Sequence, residues 1–184
     1  MVKDSVFGDG VNTQYDIQPG QRIVIPNHKQ TKCSFKRNVI VRAYAENTNQ
    51  GLVRNYNEDR VSIILNIVKP EQRQNETWPK CSYFGVYDGH GGSACAEFLR
   101  DNLHHFVIRE DTFPWDPQVA IRNGFRKAET RFLELCQAID PATGHKTVIE
   151  KSGSCAIVIL IVGDTCYTAN VGDSRAVLSS NASK

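Results

Sequence analysis

The sequence predicts an α+β fold in which two consecutive helices lie on antiparallel sheet. Three observations carry this expectation: short β-rich runs come first, two long segments of helical period follow one another, and hairpin-linked strands come after them. A doubly wound parallel sheet would instead need helices between most strands.

Residues 1–38 are rich in Gly, Asn, Gln and Lys, with one apolar patch at Ile23-Val24-Ile25 closed by Pro26. They read as an extension that lies on a domain or a partner, and the domain itself is taken as 39–184. Residues 39–44 alternate well enough for a strand, 46–59 are polar and turn-rich, and 60–68 are β-rich enough for a second strand. After a polar loop at 70–80, residues 83–87 form a third short strand that ends on Asp88-Gly89.

The first helix is predicted over 93–107, where Ala96, Leu99, Leu103 and Phe106 recur at spacings of three and four. In the second, Asp116 is a natural N-cap with Pro117 at the first helical position, and Ile121, Phe125, Ala128, Phe132, Leu135 and Ile139 keep helical period. A loop at 141–144 follows. Strands are then expected at 154–162, 166–171 and 175–178, joined by turns at Gly163-Asp164 and Gly172-Asp173 into an antiparallel meander. Two helices can cover only one sheet face, so the meander needs a second layer.

With 184 residues, 40% hydrophobic and 23% charged, the chain has the length and composition of one globular domain. A formal net charge of +2 gives no reason to expect nucleic acid as a partner, and Lys29, Lys32, Lys36 and Arg37 read as a solvated basic strand or tail. No apolar run of signal-peptide type follows Met1, and the longest apolar stretch, 155–162, is far below the roughly 18 residues of a membrane span. An intracellular, cytoplasmic protein is expected. The six cysteines show neither zinc spacing nor a disulfide framework and read as reduced, mostly buried thiols.

Four segments could carry chemistry, and each has a plain structural reading beside the functional one. Asp88-Gly89-His90-Gly91-Gly92 is a tight turn with a helix cap, or a strand-end carboxylate and adjacent backbone carbonyl aimed at a metal. Arg54-Asn55-Tyr56-Asn57-Glu58-Asp59 is a solvated acidic turn, or a pair of acids around a cavity with an arginine able to fork onto phosphate oxygens. Asn170-Val171-Gly172-Asp173-Ser174-Arg175 is a hairpin turn or a site acid, and Ser152-Gly153-Ser154-Cys155-Ala156 reads by default as tight packing.

Taken in order, R-N-Y-N-E-D, F-G-V-Y-D-G-H-G-G, S-G-S-C-A and A-N-V-G-D-S-R-A-V-L closely resemble the successive motifs of the type 2C metal-dependent serine/threonine protein phosphatases, over roughly 39–178. The resemblance implies a four-layer α/β/β/α arrangement, an antiparallel sandwich flanked by helices. It further implies two Mg²⁺ or Mn²⁺ ions, with a third more weakly held, acting on a phosphoprotein. On the family pattern, Asp88 matches the carboxylate bridging both ions, Gly89 the carbonyl on one of them, and Glu58 a further metal-site acid. Asp59 supports that shell, Arg54 matches the phosphate-gripping arginine, His90 the general acid, and Asp173 the acid of the third ion. Cys155 stands where many relatives have Thr, a change expected to affect packing only.

Family members continue with a flap and two further aspartates, which do not appear before Lys184. The chain alone is therefore expected to be inactive and to need a completing C-terminal segment. The alternative is a phosphatase-like half-domain that binds within a larger assembly.

Overall fold

The computed structural model describes residues 32–34, 40–139, 141–142 and 144–180. Lys29, Lys36, Arg37 and nearly all of the expected extension lie outside them. The architecture is helix on antiparallel sheet, as the order of elements predicts. The central sheet holds β3 (Arg60–Ile64), β4 (Cys81–Tyr87), β9 (Ala156–Val162) and β10 (Thr165–Val171), in the order β10-β9-β4-β3 with every pair antiparallel. β1 (Lys32–Ser34) and β2 (Tyr44–Glu46) form a separate two-stranded sheet.

Side-chain alternation gives this sheet two apolar faces. The register aligns Ser62, Gly85, Val158 and Ala169, then Ile64, Tyr83, Leu160 and Tyr167, across one face. On that face lie α1 (Ala94–Ile108) and α2 (Pro117–Leu135), which pack on each other. Their buried residues are Cys95, Ala96, Leu103, Val107 and Ile108 from α1 and Pro117, Ala120, Ile121, Gly124, Ala128 and Phe132 from α2; of the residues expected on these faces, Leu99, Phe106 and Phe125 are only partly buried and Leu135 is exposed. The core also takes in two fully buried tyrosines, Tyr83 and Tyr87, whose hydroxyls share a hydrogen bond of 2.8 Å. Ser62 ties the sheet to α1 by donating its hydroxyl to the Arg100 carbonyl at 2.9 Å. The opposite face presents Val61, Ile63, Phe84, Val86, Ile157 and Ile159, partly covered by residues 45–47 and 175–177.

Several boundaries differ from the sequence reading. Of the strand expected at 39–44, residues 40–43 are irregular and the pairing begins only at Tyr44, opposite Ser34. The next strand ends at Ile64 rather than 68, because the chain bends at 65–66, although Ile67 N–H still donates to the Cys81 carbonyl at 2.9 Å. The second helix is capped by Asp116, whose side chain accepts from Val119 N–H at 3.2 Å, and it stops at Leu135. Ile139 belongs instead to an exposed hairpin of β6 (Gln137–Ile139) with β7 (Lys146–Val148).

The strand expected at 154–162 is two, β8 (Gly153–Ser154) and β9, broken at Cys155 because β8 pairs with a different partner, β5 (Gly89–His90). Residues 175–178 form no strand: β10 is the sheet edge, and Val177 and Leu178 are each 92% exposed. Cys81, Cys95, Cys136, Cys155 and Cys166 are free thiols; the first three are buried, Cys155 is half-buried and Cys166 exposed.

Candidate metal and phosphate site

Gly89 joins the turn that carries Asp88 to the Glu58-Asp59 segment. A side chain there would collide with the Glu58 main-chain carbonyl, so only glycine lets β5 and the segment before β3 approach this closely. Asp59 receives a hydrogen bond from the Gly89 backbone. Burial, then the Asp88 charge, push the Asp59 carboxyl above its ordinary range; that hydrogen bond pulls the other way, and Glu58 adds to the rise. The Asp88 and Glu58 charges thus both act on Asp59 near the end of β4.

Glu58 is held from three sides. Its Oε1 accepts from Gly92 N–H at 2.6 Å and from the Tyr56 hydroxyl at 3.2 Å, and its Oε2 lies 3.7 Å from the Arg54 guanidinium. The Arg54 side chain is 74% exposed against 10% for Glu58, so this ion pair is weak and leaves most of the guanidinium free for an anion. Asn57 sets the backbone beneath the acids: its Oδ1 accepts from Asp59 N–H at 2.9 Å and its Nδ2 donates to Thr48 Oγ1 at 2.8 Å. Arg60 braces the same turn by donating to the Asn57 and Asp59 carbonyls, both at 2.8 Å, and pairs with Glu97 of α1.

His90, exposed, faces Gly153 across the β5–β8 pair, where any side chain would strike its ring. Asp173, also exposed, follows β10, and its Oδ1 accepts from the Cys155 thiol at 3.2 Å. Cys155 N–H in turn donates to the Asp88 carbonyl at 2.9 Å. The Cys155 thiol titrates above its ordinary range. A backbone hydrogen bond from Asp173 opposes that rise, while its bond to the Asp173 carboxylate, burial, and the charges of Asp173 and Asp88 produce it. The residue therefore bonds to Asp88 through its backbone and to Asp173 through its side chain.

Glu58, Asp88, Asp173 and the Gly89 carbonyl, the ligands expected from the sequence, would offer only hard oxygens, the chemistry that suits Mg²⁺ or Mn²⁺. The charges of Asp88 and Glu58 disfavour the Asp59 carboxylate, a repulsion of the kind that a cation relieves. Among the described residues no three His, Cys, Asp or Glu side chains are grouped tightly enough to hold an ion by themselves. Waters would complete the shell, as a magnesium site ordinarily allows.

The sequence reading gave no role to Tyr56, Asn57 or Ser152. Ser152 caps α1 from another segment, its hydroxyl accepting from Cys95 N–H at 3.0 Å, while Ser93 at the helix start makes no side-chain cap bond. The available signal for Asn57 was its place two residues before Asp59, the spacing of an Asx turn; no signal local to Ser152 points to a helix 57 residues earlier in sequence.

The family model described as protein phosphatase 2C matches residues 48–184. A rice (Oryza sativa subsp. japonica) protein named probable protein phosphatase 2C member 13, mitochondrial, is 40% identical over 98 residues, 53% of this chain and 24% of that protein. Another, probable protein phosphatase 2C 54, is 35% identical over 126 residues, 68% of this chain and 31% of that protein. Protein phosphatase 2C homolog 2 of Hypocrea jecorina is 36% identical over 122 residues, 66% of this chain and 26% of that protein. The chain thus spans less than a third of the length of these relatives. Two crystal structures of a bacterial serine phosphatase, each bearing a mutation, share the fold with TM-scores of 0.51 and 0.50, at 18% and 19% identity, over 80% of this chain and 56% and 55% of theirs. No helix among the described residues is long and apolar enough to cross a membrane.

Proposed function

Because the chain belongs to the protein phosphatase 2C family, we propose that it supplies one end of the active site of a phosphatase that uses Mg²⁺ or Mn²⁺ to hydrolyse phosphoserine and phosphothreonine in proteins. The observation that carries this reading is the close approach of the Glu58-Asp59 backbone to Asp88-Gly89, with an exposed arginine beside them.

In this reading Asp88, Glu58 and the Gly89 carbonyl would hold one divalent ion, Asp88 would contribute to a second that needs further carboxylates, Asp173 would serve a third, and Asp59 would order the shell. The bound ions would neutralise phosphoryl charge and acidify a water, the two needs of monoester hydrolysis at neutral pH. Arg54 grips the phosphate through its outward guanidinium, at the expense of a weak pairing with Glu58. His90, on the rigid β5–β8 pair, gives a proton to the departing serine or threonine alkoxide. Its free thiols support an intracellular, cytoplasmic setting.

A second reading, a non-catalytic binding or structural component of a larger assembly, is favoured by the apolar second face of the sheet. One experiment separates them. In the complete protein, Asp88→Asn should leave the fold intact, since volume is nearly conserved, and reduce Mn²⁺-dependent hydrolysis of a phosphothreonine peptide to background. Undiminished turnover by that variant sinks the catalytic reading; a wild-type protein with no turnover favours the second.

A further inference from the structure

Cys155 occupies the break between β8 and β9 and is hydrogen-bonded in two directions. Its N–H donates to the Asp88 carbonyl at 2.9 Å, and its thiol donates to Asp173 Oδ1 at 3.2 Å. The turn that carries Asp173 is fitted to it: Gly172 lies at φ +100°, and a side chain there would collide with the Cys155 sulfur. Asp173 itself is exposed. Without a tether its carboxylate would sample several rotamers in water, and a cation that used it would have to order it on binding.

We infer that Cys155 is a positioning residue, which fixes the Asp173 carboxylate relative to the Asp88 end of β4 so that Oδ2 is presented to a divalent cation while Oδ1 is held by the thiol. The inference rests on the reading of Asp173 as a cation ligand. A side chain at 155 serves this role when it has a short donor, and volume alone does not suffice. The thiol's partner is one ligand oxygen, so its loss should act on a single ion and leave ions held through Glu58 and Asp88 in place.

Mn²⁺ titration of the complete protein, followed by the electron paramagnetic resonance of the free ion, tests this without reference to turnover. Asp173→Asn should remove the weakest Mn²⁺ site. Cys155→Ala and Cys155→Val should each weaken that site by about tenfold, the lower end of what loss of an outer-shell partner costs, and Cys155→Ser should retain it within about threefold. On the Asp173→Asn background, Cys155→Ala should add nothing, because the two changes share one route. If Val behaves as wild type while Ser behaves as Ala, Cys155 fills space and the inference is wrong. If Asp173→Asn weakens the site but Cys155→Ala does not, the inference falls and the reading of Asp173 stands. If Asp173→Asn leaves Mn²⁺ binding unchanged, both fall together.

Discussion

Burial and the charges of Asp88 and Glu58 raise the Asp59 carboxyl, so without a cation the folded chain holds a proton there more tightly than the unfolded chain does. The sign follows from linkage. Below the unfolded carboxylate's pKa of about 3.9 both states are protonated and Asp59 costs nothing. As pH rises through that value the unfolded state releases its proton first, and stability falls until the folded pKa is passed. Asp59→Asn keeps an acceptor for the Gly89 amide and removes the charge. In chelator at neutral pH this variant should melt higher than wild type; the gain should vanish near pH 3 and shrink when Mg²⁺ is added. A lower melting temperature at neutral pH would mean that the Gly89 hydrogen bond and Arg60 outweigh burial and the neighbouring acids at Asp59. The acids themselves were legible from the sequence because each lies in a motif with its neighbours. Cys155 and Ser152 were not, since their partners lie across the sheet or 57 residues away, and a contact of that kind leaves no local pattern.

Among the elements, the joint between α1 and α2 is tightly fitted at Gly124. Replacing a helical glycine by alanine ordinarily adds about 1 kcal/mol of stability. At Gly124 the new Cβ would lie 2.6 Å from Val107 Cγ2, 2.9 Å from Val107 N and 3.0 Å from Val107 Cα. Backbone atoms cannot step aside as a flexible side chain can, so the helices would have to separate. Gly124→Ala should therefore destabilise by roughly 1–3 kcal/mol, the usual cost of overpacking, while Arg122→Ala on the exposed face of the same helix should stay within about 0.5 kcal/mol. Urea denaturation of both variants checks this, and a stabilised Gly124→Ala would show that the interhelical contact is looser than it stands. The start of α2 was legible because Asp116 and Pro117 are local signals. Its end was not: Ile139 falls seven residues after Phe132, in phase with the buried face, yet it is 64% exposed in a strand. An apolar residue at the right interval looks the same in either element. At 175–178 the turn and the apolar residues suggested a third strand of the meander, but strand formation there requires a neighbour along β10, and turn chemistry does not supply one.

At the scale of the molecule, the sheet's two faces are unequal. The helix-bearing face buries Tyr83, Tyr87, Val158 and Leu160 completely, whereas on the other Val86 is 45% exposed, near Val177 and its neighbour Leu178 at 92% each. The face is apolar along three adjacent strands, with Val61 and Ile63, Phe84 and Val86, and Ile157 and Ile159 in register. β10 and β3 also end the sheet on either side. Contiguous apolar surface and open strand edges both favour association. The 184-residue chain should accordingly self-associate in a concentration-dependent way, visible by light scattering behind a sizing column. The cause can be separated from simple misfolding. Val177→Asp with Leu178→Asp changes residues outside every helix and strand, and Val86→Lys places a charge in the middle of the face with its stem lying along the apolar surface. Both should shift the chain toward monomer while its helical circular dichroism is kept. A wild-type chain that stays monomeric at high concentration would mean that residues 45–47 and 175–177 shield this face more fully than their exposure implies. Association that persists in both variants would move the cause to the strand edges.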